Sequence, residues 1–210
     1  MSRLTTITLA LAIAAVGSLS TGCGNGQDRS AKTASTSAVI TDEVTRAKQQ
    51  LDQVVAGLRN VRDASDTADL KKLYNELQGP AGELRGSLAS VQGTAERAAT
   101  AARKQNDDWR READAFTDPD LRNASSKRQN DLRNAADALT ASNAALKTTG
   151  DAFTGQLDQA VKALDLDLSQ QGLQAIKPSV GRLIDDEAKL RAALTDVASK
   201  GKAVNGVINP

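Results

Sequence analysis

The sequence predicts an all-α fold, an elongated antiparallel helical bundle with a long coiled-coil hairpin, and three observations carry that expectation. Apolar residues recur at alternating spacings of three and four through long segments, which holds one narrow stripe along one side of a helix. Aromatic residues make up only 2% of the 210 residues while alanine is plentiful, so thin helix-on-helix packing fits better than a thick globular core. A turn signal, Thr117-Asp118-Pro119, sits between the two longest striped segments. Thr117 and Asp118 can cap a helix start, Pro119 suits a first helical position where its missing N–H costs nothing, and Asp120 complements the positive helix end. Fifteen glycines and four prolines are too few for a mostly disordered chain.

The helices are expected at roughly 41–64, 67–117, 119–165 and 169–204. In the first, Val44, Ala47, Leu51, Val54, Leu58 and Val61 form the stripe, and Ser65-Asp66-Thr67 offers turn and capping residues after Ala64. The second carries its stripe from Leu70 and Tyr74 through Leu77, Leu84, Val91 and Ala98 to Gln105, Trp109, Glu112 and Phe116 without a phase slip. Gly79-Pro80 lies inside it. Proline in a helix interior costs about 3 kcal/mol and kinks or breaks it, yet a loop seldom preserves heptad phase. A kinked but continuous helix is therefore expected, a rod of about 75 Å at 1.5 Å per residue, with a break near residue 79 as the alternative.

The third helix runs Leu121, Ser125, Arg128, Leu132, Leu139, Leu146, Phe153, Leu157, Leu164 along its stripe, polar at the start and apolar beyond Leu132. Asp165–Gln171 supplies a break, with Asp167 or Ser169 as the next cap. The fourth shows Leu173, Ile176, Val180, Leu183, Leu190, Leu194, Val197 and Val204, with a kink at Pro178 and fraying near Gly201, Gly206 and Pro210. Helices two and three then form a long hairpin. The other two pack beside its base at shallow crossing angles of about 20°, leaving a wetter, two-helix tip projecting.

The chain also carries an address. Arg3, an apolar run from Leu4 to Val16 and small residues leading to Leu19-Ser20-Thr21-Gly22-Cys23 resemble a bacterial lipoprotein signal peptide at 1–22, with Cys23 lipidated after cleavage. Ser20 stands where such peptides usually place a large aliphatic residue; an ordinary secretory peptide and an uncleaved anchor are the alternatives, the run being short for a spanning helix. A lone cysteine forms no internal disulfide and has an evident use at this position. Gly24 follows where the inner-membrane retention signal has Asp, which directs the expectation to the outer membrane, facing the periplasm. Residues 23–40, rich in Gly, Ser, Thr and Ala without period, read as a flexible tether, and 41–210 as one helical domain. Removing Arg3 with the leader leaves 26 Lys+Arg against 26 Asp+Glu, a neutral and interspersed surface that excludes nucleic acid as a partner class.

Catalytic chemistry finds no footing. Histidine is absent, so the commonest general base and transition-metal ligand are missing, and no phosphate loop, nucleophile elbow or metal-ligand spacing occurs. Adjacent acids such as Asp107-Asp108 and Asp185-Asp186-Glu187 read as solvated helix faces. No catalytic residue, metal or cofactor is assigned. The informative polar residue is Glu112, on the stripe three residues after Trp109, where a tight turn brings Arg122 or Arg128 across from it. A register-setting ion pair and a docking surface are the two readings, and Trp109 is either core or an exposed anchor.

Trp109-x-x-Glu112-x-x-x-Phe116-x-Asp118-x-x-Leu121-Arg122-x-x-Ser125, behind a lipoprotein leader and within a heptad-rich chain, resembles an uncharacterised bacterial coiled-coil lipoprotein family of the domain-of-unknown-function type. That family has Tyr and Asn where Phe116 and Asp118 stand, and a Leu-Lys-His-Asn-Leu-Asn motif where this chain has Leu164-Asp165-Leu166-Asp167-Leu168-Ser169. The resemblance implies a helical, non-enzymatic envelope lipoprotein. Two functions follow as expectations: a membrane-anchored spacer or scaffold presenting the hairpin to an envelope protein partner, and, from another class, a helical module holding an apolar ligand such as a lipid.

Overall fold

A computed structural model describes residues 26–65 and 69–209; the leader, Cys23 and the Asp66-Thr67 part of the expected first turn lie outside the described residues. Four helices make up the fold: α1 Gly26–Asp63, α2 Leu70–Ala113, α3 Pro119–Leu166 and α4 Gln170–Ile208. No strand occurs among the described residues. α1 packs on α2 and α4, α3 packs on the same two helices, and α2 and α4 meet across the diagonal. Cross-helix pairs set every neighbour antiparallel. Ser30 meets Gln105 and Asn60 meets Glu76 between α1 and α2. Lys48 meets Thr195 and Asp52 meets Arg191 between α1 and α4. Arg85 meets Asp158 and Arg103 meets Asp137 between α2 and α3. The result is the expected four-helix bundle.

Two poles follow from this topology. One holds the start of α1, the α2–α3 turn and the end of α4; the other holds the α1–α2 connection and the α3–α4 turn. α3, with 48 residues, gives a rod of about 70 Å.

The stripes are buried as the spacing predicts. Leu51, Leu58, Leu77, Leu84, Leu139, Leu157, Leu183 and Leu190 are among the fully buried side chains, and the first buried residue of α3 is Leu132. α2 runs unbroken through Pro80. Proline removes the N–H that the Glu76 carbonyl would otherwise receive, and α1 packs closely there: a Cβ on Gly57 would lie 3.3 Å from that carbonyl oxygen. Heptad phase survives because the lost bond is local, while the leucines on either side stay in one core.

Three expectations are corrected. Residues 26–40, expected to be tether, are the first turns of α1, which begins at Gly26 and not near 41. Thr33, Ala34, Ser37 and Ile40 are buried there, continuing the spacing of three and four with small and polar residues. The Ser37 hydroxyl is satisfied inside the helix, its Oγ donating to the Thr33 carbonyl at 3.0 Å, as is that of its neighbour Thr36, whose Oγ1 donates to the Lys32 carbonyl at 2.9 Å. Packing against neighbours outweighs weak propensity.

Consequently the hairpin tip is no two-helix coil, because α1 and α4 both extend to it. It is nevertheless wetter: Thr33, Ser37, Thr94, Gln105, Asn106, Asp108 and Ser142 supply most of the buried polar residues, and Gln105 Oε1, Asn106 Oδ1 and Ser142 Oγ have no hydrogen-bond partner among the described residues. Nor does α4 end where fraying was expected. It continues to Ile208, and Gly201 is buried against Ile40 of α1, where a Cβ would come within 2.9 Å of Ile40 Cδ1.

Candidate functional site at the α2–α3 tip

Asp118 makes the turn. Its extended backbone leads into α3 and its Oδ1 accepts from Asp120 N at 2.8 Å and Leu121 N at 3.3 Å, with Pro119 opening α3 as expected. Arg122 reaches back from α3 to donate to the Phe116 carbonyl at 2.7 Å, capping the outgoing chain. The turn is therefore closed by two side chains from its own sequence.

Arg128 joins three elements. Its guanidinium carbon lies 4.6 Å above the centroid of the Trp109 ring, a cation–π arrangement. The same group donates through Nη2 to the Ile208 carbonyl at 2.8 Å and through Nε to the Val207 carbonyl at 3.3 Å. A cation here also offsets the negative end of α4. Gln105 Nε2, donating to Ser30 Oγ at 2.6 Å, fastens the start of α1 one turn below Trp109. Asp108 is buried and bonded by Lys104 at 3.1 Å and by Arg111. The Lys104 ammonium holds its carboxyl below the usual carboxylate range.

Trp109, Glu112, Phe116, Leu121 and Ser125 come together as expected, around a cleft of about 330 Å³ that Ala113, Ala124 and Arg128 complete. Asp118 and Arg122 instead close the turn. Glu112 is exposed, so no buried ion pair sets the register at this position; past Gln105 the burial on α2 shifts to Asn106, Asp108 and Ala113. Trp109 is half-buried at the edge of the core, between the two readings offered for it. Phe116 and Leu121 remain 38% and 55% exposed. Ser125 accepts from Gln129 Nε2 at 3.1 Å. Ser30 had no signal in the sequence; Gln105 and Arg128 lay on their stripes, and Arg128 was expected across from Glu112, but the partners they bind depend on which helix lies opposite.

The cleft presents apolar ring and aliphatic surface with one carboxylate and one guanidinium at its edge, an arrangement suited to docking. No group of His, Cys, Asp or Glu able to hold a metal ion occurs among the described residues, and no described helix is long and apolar enough to cross a membrane. No family model, curated protein or solved structure matches the chain.

Truncating Trp109 to Ala should cost about 1 to 3 kcal/mol, below the 3 to 5 kcal/mol of a fully buried Trp, because its side chain is only partly buried, at the edge of the core. Faster amide exchange is expected in 26–34, 105–130 and 200–208 together, since Ser30 and Ile208 are fastened to this end. Exchange around Leu51, Leu77 and Leu157 should stay unchanged; a global loss of protection would show that the pole is not a separate unit.

Proposed function

We propose that this chain is an envelope lipoprotein, anchored through Cys23 in the outer membrane and facing the periplasm, that acts as a non-enzymatic spacer or scaffold and presents a helical hairpin to a protein partner. The observation that supports the reading most is the polarity of the rod. α1 starts only three residues after Cys23, at one pole, and a continuous core runs from there to the other. A lipid on Cys23 therefore has a stiff lever attached to it, in place of the flexible tether first expected.

That polarity also chooses the hairpin. The α2–α3 tip shares the pole with the anchor, so the opposite pole, about 60 to 70 Å away along the rod, is the end that stands clear of the bilayer. Leu166 and Leu168 beside the α3–α4 turn are 76% and 44% exposed there. Exposed leucines flanked by Asp165 and Asp167 fit the apolar centre and polar rim of a protein contact. The apolar-ligand reading has less support: the clefts on the bundle lie between helix surfaces, such as that lined by Gln92, Gly93, Thr140 and Asn143, and the interior stripe is packed leucine and alanine.

Cys23→Ser should leave the protein unprocessed or free of the membrane fraction, whereas wild type sediments with outer membrane; normal fractionation of the variant overturns the anchor. Photo-crosslinking from position 168 in cells should then capture a protein that position 82, on the open surface of α2, does not. Equal capture from both positions counts against a dedicated pole.

A further inference from the structure

We infer that the α2–α3 tip is a membrane-facing foot: Trp109, Phe116 and Leu121 rest at the lipid headgroup level and hold the rod upright on the bilayer that carries its anchor. The inference rests on the anchored reading and adds to it a second, noncovalent contact.

Register places the foot. The Ser30–Gln105 hydrogen bond fixes α1 against α2, and four residues further toward the pole, at about 1.5 Å per residue, Gly26 comes level with Trp109. Cys23 is three residues before Gly26, a covalent reach of at most about 11 Å. The acylated residue is thus confined near the plane of Trp109. The α2–α3 turn lies beyond that plane, further toward the pole than the end of α4, whose Ile208 is held level with Arg128. A bilayer surface marked by the Cys23 lipid meets this turn before any other part of the described chain.

The surface chemistry at the turn agrees with that position. Two of the five large apolar side chains exposed among the described residues, Phe116 and Leu121, are here, and the indole of Trp109 opens into the cleft between them. Aromatic rings with one polar edge favour the membrane–water interface. Charge is not the attraction: residues 107–128 carry five cations and six anions. Several are already engaged, Arg111 with Asp108, Arg122 with the Phe116 carbonyl and Arg128 with the end of α4. Asp114, Asp118 and Asp120 around the turn limit the depth to the headgroups. So small an apolar contact is weak alone. It becomes effective because the anchor supplies a high local concentration of bilayer.

Trp109 is the chain's only tryptophan and reports on the foot directly. The acylated protein, purified from membranes and checked by intact mass for lipid on Cys23, is reconstituted into phosphatidylcholine vesicles with and without brominated acyl chains. Trp109 emission should shift to the blue relative to detergent-free soluble Cys23→Ser protein and be quenched by the brominated lipid. A second variant, Trp109→Phe with Leu168→Trp, moves the probe to the far pole and should show neither effect. Quenching of Trp109 should persist when salt is raised from low to molar concentration. An unquenched Trp109 on a lipid-bearing chain overturns the foot and leaves the anchor standing, as does equal quenching of both probes, which means a rod lying flat. Loss of quenching in salt overturns the apolar contact. A mass without lipid overturns the anchored reading on its own account.

Discussion

Leu84→Ala is expected to destabilise the bundle by about 3 kcal/mol, within the 2 to 5 kcal/mol range of buried leucine truncations. Leu84 is fully buried at mid-rod, and cross-helix pairs identify its neighbours. Ser30–Gln105 and Asn60–Glu76 set the register of α1 on α2, and Asp52–Arg191 that of α1 on α4, which brings Leu51 level with Leu84 and Leu190. All three leucines are fully buried and belong to one cluster. A close-packed core relaxes only partly around a lost leucine, so the cavity should persist and its cost should lie in the middle of the range. Urea denaturation measures it as a lowered midpoint with unchanged slope. A loss below about 1 kcal/mol would mean that the neighbouring helices close into the space. The effect should also be global, in contrast with Trp109→Ala, because mid-rod residues are coupled to every helix.

Gly172→Ala and Gly86→Ala should change stability in opposite directions although both replace a helical glycine with the best helix former. Alanine gains about 1 kcal/mol over glycine in a helix interior. At Gly86 nothing lies within 4 Å of the added methyl, so that gain should appear nearly whole. At Gly172 the Cβ would fall 2.3 Å from the Asp167 carbonyl oxygen and 2.8 Å from its side-chain carboxyl carbon. Asp167 ends α3, and its Oδ1 accepts from Ser169 N at 3.1 Å while Ser169 caps α4 through Gly172 N at 3.2 Å. The methyl therefore displaces a backbone turn. Overpacking of this kind costs about 1 to 3 kcal/mol, enough to reverse the sign. Thermal melts of the two variants test this: a Gly172→Ala protein at least as stable as wild type would show that the α3–α4 turn yields easily. In that case the exposed leucines at this pole are less rigidly presented than the proposed scaffold needs.

Much of the fold is legible because a heptad stripe is a local signal that reports a non-local fact. Leu77, Leu84 and Val91 at matching phase on both sides of Pro80 made a continuous α2 the stronger expectation, and the helix is continuous. Pro119 after Asp118, and Ser169 before Gly172, marked two helix starts that depend only on backbone groups a few residues away. The polar stripe before Leu132 likewise marked the wetter end. What the stripe rule cannot register is burial of small and polar residues. Thr33 and Ser37 look like linker in composition, yet they lie on a helix face covered by α2 and α4.

By itself, then, the sequence determined four helices, the position of the α2–α3 and α3–α4 turns, and the leucine faces, since hydrophobic period, caps and turn residues act over a few residues along the chain. Only the tertiary structure decided that α1 begins at Gly26, that Glu112 is exposed, and that Arg128 binds Trp109 and the end of α4. It also decided which pole holds the start of the chain. The reason is physical: a Thr, Ser or Gly surface is buried or open according to what lies against it, and a long side chain such as Arg or Gln takes whichever partner the neighbouring helix brings within about 3 Å. Those neighbours are set by the register of whole helices and by no residue alone.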